Sequence, residues 1–300
     1  MLFTDPVLAC NLRCKMCYFS DAEKRKAMKG VFNEEEIRKL AEAFFSRALK
    51  LQIGCGAEPT LFQHNKLLIE LAKKHQVPYI SMTTNGNLFM EKDWRELAEA
   101  GLDEVTLSLH GVKRETYEYF MTGGSFDKFL SAMDILTKIK EKYPNFKVRL
   151  NYTVNKDNLE ELQDFFNVLG DYRFDILQIR PIQPIGNSVY HDFSWEKIYD
   201  LYDSILEHLK NKCRERKITC LMPDKQDIVK EGNSDSRLVG VASFYISPRS
   251  CWQDDFDLNS ETYESYSRRT HLGWRLFKNV FRTPKTDSNG KQHLNYEVRT

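Results

Sequence analysis

Three cysteines stand close together near the start of the chain, in the run Cys10-Asn11-Leu12-Arg13-Cys14-Lys15-Met16-Cys17-Tyr18-Phe19. The spacing is C-x3-C-x2-C, with an aromatic pair directly behind the last thiol. Thiolates are soft ligands that select zinc, copper(I) or iron–sulfur clusters. Structural zinc sites and most clusters close on four protein ligands. A triad therefore leaves one corner open, and an open corner is where a small molecule can bind and react. On spacing alone three readings stand: a zinc site completed by a distant Cys or His, part of a disulfide framework, or a three-ligand [4Fe–4S] cluster. Zinc ligands usually pair as separated knuckles, and the chain carries an odd seven cysteines.

A thiol triad needs a scaffold, and the rest of the chain predicts one. Strand-like stretches fall at 2–9, 49–55, 78–84, 104–109, 147–154 and 176–182. Helix-like stretches fall at 65–75, 92–100, 125–142, 159–169 and 195–216, and a further helix starts at an Asn33 N-cap with Glu36 at N3. Behind that cap Ile37, Leu40, Ala41, Phe44 and Phe45 recur at helical spacing. Such alternation implies right-handed βαβ crossovers and a parallel sheet. The expected fold class is α/β: a partial (β/α)6 barrel over 1–216, a small C-terminal extension over 217–283 that caps the barrel, and a mobile tail over 284–300. The basic, amphipathic run 271–282, with Trp274, Phe277 and Phe281 on one face, is the expected cap.

In a parallel barrel the chemistry gathers where the strands end. The predicted strands end in the three cysteines, in Gly54-Cys55-Gly56-Ala57-Glu58-Pro59, in Thr83-Thr84-Asn85-Gly86, in Ser108-Leu109-His110-Gly111 and in Arg180-Pro181. The unusual polar groups thus share one rim. Inside the strands, Gln52, Thr106, Ser108, Arg149, Asn151, Thr153, Gln178 and Arg180 alternate with apolar residues. Period-two alternation sets the apolar residues against the helices and the polar ones in the lumen. A polar lumen predicts a polar ligand, and Arg149 or Arg180 is suited to grip an anionic group bidentately.

The cysteine run resembles the cluster motif of the radical S-adenosylmethionine (SAM) superfamily, and the pattern over about residues 2–190 is similar to its branch of anaerobic sulfatase-maturating enzymes and molybdenum-cofactor cyclase. The resemblance implies a [4Fe–4S] cluster on Cys10, Cys14 and Cys17, with SAM chelating the fourth iron. One-electron reduction, from a flavodoxin- or ferredoxin-type protein, would cleave SAM to methionine and a 5′-deoxyadenosyl radical that abstracts hydrogen from substrate. It also implies SAM contacts. Gly56-Ala57-Glu58-Pro59 resembles the family's Gly-Gly-Glu-Pro segment, which meets the SAM amino group. Thr84 and Asn85 match a Thr-Asn-Gly strand end beside SAM, and Ser108 matches a serine on its ribose or carboxylate. Three positions depart from the pattern, the mildest being Ala57 in place of the second glycine. His110 replaces an aspartate, and Phe120 stands where peptide-modifying relatives carry a SAM-binding arginine. Arg149 or Arg180 is the expected substitute. No catalytic residue is assigned.

The expected activity is a radical SAM reaction on a peptide or protein side chain. A small-molecule or cofactor-precursor substrate is the alternative, and a non-catalytic iron–sulfur or zinc protein the third possibility. Cys213, Cys220 and Cys251 are too few for the auxiliary-cluster domain of peptide-modifying relatives and are expected to be ordinary buried thiols, with one three-cysteine auxiliary cluster as the alternative. A net charge of +1 gives no field for nucleic acid. No apolar run reaches the ~18 residues of a membrane-spanning helix. The first nine residues lack the charged start of a signal peptide, so a cytoplasmic location, where thiols stay reduced, is expected.

Overall fold

The computed structural model of the chain describes residues 1–183, 185–192, 194, 196–222, 243–253 and 255–280. Six parallel strands carry the fold: β1 (Leu2–Thr4), β2 (Leu51–Ile53), β3 (Ile80–Thr84), β4 (Glu104–Leu109), β5 (Lys147–Val154) and β6 (Ile176–Pro181). Between and after them run α1 (Ala22–Ala27), α2 (Glu34–Phe44), α3 (Asn65–Lys74), α4 (Glu91–Ala100), α5 (Arg114–Phe120), α6 (Phe126–Lys142), α7 (Phe165–Leu169) and α8 (Glu196–Glu215). The extension adds β7 (Thr219–Leu221), β8 (Phe244–Ser247), β9 (Ser250–Cys251), α9 (Tyr263–Arg269) and α10 (Leu272–Val280). The sheet runs in the order β7-β6-β5-β4-β3-β2-β1-β8-β9, and only the β8–β9 pair is antiparallel.

The alternation seen in the sequence sorts the two faces. Along β5, Val148, Leu150, Tyr152 and Val154 are buried, whereas Lys147, Arg149, Asn151 and Thr153 are half-buried. The apolar set joins one core with Leu107, Leu136, Ile139, Phe165 and Leu177. Each fully buried Leu or Phe there contributes about 1.5–3 kcal/mol. At α2 the expected cap is present. Glu36 N–H donates to Asn33 Oδ1 at 2.9 Å, and Asn33 N–H donates to Glu36 Oε2 at 2.8 Å.

Several elements differ from expectation for identifiable reasons. β1 stops at Thr4 rather than near residue 9, because Pro6 has no N–H to give the ladder. β2 ends at Ile53 because Gly54 turns the chain at φ +77°, where an added Cβ would lie 2.4 Å from the Thr83 carbonyl oxygen. The predicted helix at 159–169 is a 3-10 turn (Glu160–Asp164) followed by the short α7. Its first turn is tied sideways, since Glu161 Oε2 accepts from Val112 N–H at 2.9 Å and Lys113 N–H at 3.3 Å.

The extension joins both margins of the sheet. β7 extends β6, and β8 lies parallel to β1. Phe44 of α2 meets Trp252 and Phe256 with ring centroids 5.8 and 4.9 Å apart, and Trp252 meets Tyr266 at 4.9 Å. Leu272 of α10 is buried, while Trp274 and Phe277 are 58 % and 55 % exposed and stack on each other. Phe281, the polar stretch 231–240 and the expected tail over 284–300 lie outside the described residues.

Candidate active site

The loop after β1 carries Cys10, Cys14 and Cys17, all half-buried free thiols. Backbone bonds lash it to the end of α5: Arg13 N–H donates to Thr122 O at 2.8 Å and Lys15 N–H to Phe120 O at 2.9 Å. Two sulfurs already accept backbone donors, Cys10 Sγ from Leu12 N–H at 3.4 Å and Cys17 Sγ from Phe19 N–H at 3.5 Å. Burial pushes the Cys10 thiol up to about 12 and Cys17 to about 11, and it raises Cys14 well above the ordinary value, with its two neighbours adding to the effect. Such a set becomes thiolate only with a cation to offset the charge, and metal binding supplies it with release of protons. Among the described residues no three His, Cys, Asp or Glu side chains converge as ligands of one ion must. Ligands of a cluster each take a different iron and stand wider apart. Desolvated thiols with N–H···S donors suit a thiolate-held metal group such as a cluster.

The second strand end is built around two buried carboxylates. Asp5, which the sequence pattern left unmarked, is 1 % exposed. Its Oδ1 accepts from Cys55 N–H at 2.7 Å, Gly56 N–H at 3.1 Å and Ala57 N–H at 3.2 Å, and its Oδ2 accepts from Tyr245 Oη at 2.8 Å. The only sequence signal for it is a lone acid between a strand and a proline. This nest shapes the loop that delivers Glu58, itself 3 % exposed. Glu58 Oε1 accepts from Thr60 N–H at 3.1 Å, Thr60 Oγ1 at 2.5 Å and Thr84 Oγ1 at 2.6 Å, and Oε2 accepts from Asn85 N–H at 2.9 Å. Burial raises its pKa against those donors. A carboxylate has about four acceptor sites, so Glu58 is taken up largely in joining the ends of β2 and β3.

The cysteine loop and these strand ends form one unit. Glu58 N–H donates to Ala9 O at 2.9 Å, Tyr18 Oη to Gly56 O at 2.5 Å, and Asn85 Nδ2 to Asn11 Oδ1 at 2.8 Å. Glu58, Thr84 and Asn85 are thus brought against the triad. Ser108 lies one strand on, half-buried and in register with Asn151, which is in register with Gln178.

The lumen is polar as expected. Ser81 Oγ donates to Gln52 Oε1 at 2.6 Å, and Gln52 Nε2 donates to Thr83 Oγ1 at 3.0 Å. Arg149 pairs with the buried Glu104 at 3.0 Å and donates to Gln178 Oε1 at 3.2 Å. Its charge is committed to the wall. Arg180 instead is exposed and lines a cavity of about 440 Å³ with Gln178, Gln183, Cys220 and Met222. Three buried polar atoms, one just past β4 and two on β5, have no partner: His110 Nδ1, Arg149 Nε and Asn151 Oδ1. Burial drops His110 to about 4, so its imidazole is neutral near pH 7. Phe120 is 1 % exposed and packs with Met16, Ile182 and Tyr190, so an apolar cluster fills the position of the missing arginine.

Parallel strands ending in a thiol triad, a buried carboxylate tie and a polar rim define the class. The radical SAM superfamily profile matches residues 6–169, and the chain belongs to that superfamily. It is an enzyme class that uses a [4Fe–4S] cluster and SAM, and Cys10, Cys14 and Cys17 are the fitting ligands. The chain is similar to GTP 3′,8-cyclase of Limosilactobacillus fermentum, 30 % identical over 203 residues, which cover 67 % of this chain and 58 % of that protein. It is also similar to a probable GTP 3′,8-cyclase of Sulfurisphaera tokodaii, 24 % identical over 69 % of this chain and 63 % of that protein. It therefore spans less than two thirds of the length of these relatives. In fold it resembles Streptococcus suis SuiB bound to S-adenosylmethionine, with TM-score 0.65, 15 % identity and coverage of 95 % of this chain and 68 % of that one. The fold likewise resembles native anSMEcpe with bound AdoMet, with TM-score 0.63, 19 % identity and coverage of 94 % and 84 %.

Proposed function

We propose that this enzyme abstracts hydrogen from a small polar molecule or cofactor precursor held in the barrel lumen. The observation that carries the proposal is the set of unpartnered buried polar atoms on β5 and at His110, just past the end of β4, near the exposed Arg180. A buried polar atom without a partner costs about 1–3 kcal/mol, and a bound ligand that satisfies it recovers that cost. Ligand hydroxyl or amine groups match Asn151 Oδ1 and the neutral His110 ring, and an anionic group matches Arg180. The relatives named as GTP 3′,8-cyclases favour a nucleotide-like substrate over the peptide or protein side chain that the sequence pattern puts first. The peptide-binding structural neighbours share the fold at 14–20 % identity, so they lend no weight to a peptide substrate here.

The group bound by the thiols supplies one-electron reductive cleavage of SAM. The chain's own residues do the positioning. Asn85 ties the SAM side of the rim to the cysteine loop through Asn11. Glu58 fixes Thr84 and Asn85, Ser108 faces the SAM ribose or carboxylate, and Arg180 holds the anionic end of the substrate. The extension continues the sheet at both margins, with β7 beside β6 and β8 beside β1. Electrons come from a flavodoxin- or ferredoxin-type protein in the reducing cytoplasm. The test is 5′-deoxyadenosine formation by reduced, anaerobic enzyme with GTP or with a peptide added. GTP is expected to stimulate turnover in wild type and not in Arg180→Ala. Stimulation by peptide alone, or an Arg180→Ala enzyme with unchanged turnover, would count against the proposal.

A further inference from the structure

Outside the rim, two thiols expected to be ordinary buried ones are neighbours across a turn. Cys213 is buried in the last turns of α8, and Cys220 is half-buried on β7. The turn between them brings them together. α8 ends with Ile218 N–H donating to Cys213 O at 2.9 Å and Lys217 N–H donating to Arg214 O at 3.2 Å, with Lys217 left-handed at φ 58°. Those two bonds are a Schellman closure, and they fold β7 back along the end of α8. Cys220 is in register with Leu177, on the helix-facing side of the sheet, so it looks toward Cys213. The Cys213 and Cys220 side chains are close enough to interact. β7 is the edge strand, and Cys220 also lines the cavity with Arg180.

We propose that Cys213 and Cys220 form a redox-active dithiol that closes to a disulfide, with Cys220 the thiol that meets a small-molecule disulfide in the cavity. The Cys220 thiolate attacks one sulfur of the small disulfide, forming a mixed disulfide and releasing one thiolate. Cys213 then gives up its proton and attacks the Cys220 sulfur. The protein disulfide forms and a second thiolate leaves. In sum, two protein thiols are oxidised and one small disulfide is reduced to two thiols, which carry the two protons. A disulfide sets its sulfurs about 2.05 Å apart, so neighbouring thiols across the turn close by a movement of the edge strand alone. Interaction with Cys213 holds Cys220 below the ordinary thiol value, partly against burial, and Lys210 adds to the effect. Closure removes the thiol from the cavity wall and pins β7 to α8. It is independent of the substrate proposed above.

The test uses the anaerobic, cluster-loaded protein with oxidised glutathione, followed by alkylation and peptide mapping. The expected result is a linked Cys213–Cys220 peptide pair, with Cys251 recovered as the free thiol. C213S is expected to arrest as a stable glutathione adduct on Cys220, and C220S to leave Cys213 unmodified. Recovery of Cys213 and Cys220 as free thiols under conditions that modify Cys251, or a stable adduct on Cys220 in wild type, would overturn the proposal. If a variant folds poorly, the wild-type map decides by itself.

Discussion

Asp5 and Glu58 divide one task between them. Asp5 gathers three backbone N–H groups and a tyrosine hydroxyl, and Glu58 gathers two more N–H groups and two threonine hydroxyls. Between them they fix the loop that faces the cysteines. Asp5→Ala leaves those donors buried without an acceptor and is expected to cost about 2–4 kcal/mol, read by denaturant unfolding, with less iron retained after reconstitution. His110 makes a prediction in pH. Its folded value is about 4, below the ordinary ~6.5 of an unfolded histidine. The unfolded chain therefore binds a proton first as pH falls. The stability tied to the neutral ring is fully present above about pH 6.5 and is lost progressively down to about 4, by up to about 3 kcal/mol. His110→Asn removes that contribution, so its unfolding free energy should change less than wild type between those pH values. Equal slopes would show that the ring protonates freely in the folded state. The sequence marked Glu58, Thr84, Asn85 and the triad by motif. It left Asp5 unmarked because Asp5 acts through the loop backbone, which no local residue pattern reports.

At the scale of elements, the turns carry the clearest tests. Gly54→Ala would place a Cβ 2.4 Å from the Thr83 carbonyl at a φ of +77°. It is expected to cost at least about 2 kcal/mol and to displace the Glu58 loop, seen as lower thermal stability together with weaker SAM binding. Lys217→Gly goes the other way. A left-handed lysine at φ 58° is strained, and glycine there should stabilise by about 0.5–1 kcal/mol. The six main strands were legible because β5 and its neighbours alternate strictly and glycine, proline or asparagine punctuates their ends. β8 and β9 were not legible, because their strand character depends on β1 as a neighbour from the far end of the chain. α5 was missed for a related reason: only Tyr117 and Phe120 of its seven residues are buried, too few to mark a helical stripe.

The whole molecule places one open-cornered thiol site and one polar lumen under the same rim. Cys55 lies by the Asp5 nest, Cys213 and Cys220 are paired at the far edge of the sheet, and Cys251 sits on β9. β7 and β9 stand at opposite ends of the strand order and Cys55 follows β2, so no three of these four lie on neighbouring strands. Reconstituted protein is therefore expected to hold about four irons per chain, and a count near eight would mean a second cluster. The central claim is that the Cys10–Cys14–Cys17 loop and the rim beside it reductively cleave SAM. The direct measurement is 5′-deoxyadenosine released from SAM by the anaerobic, reconstituted protein after dithionite reduction. Wild type should form it, and Cys14→Ala should reduce it to background. No 5′-deoxyadenosine from cluster-loaded wild type, or equal amounts from Cys14→Ala, would contradict the account.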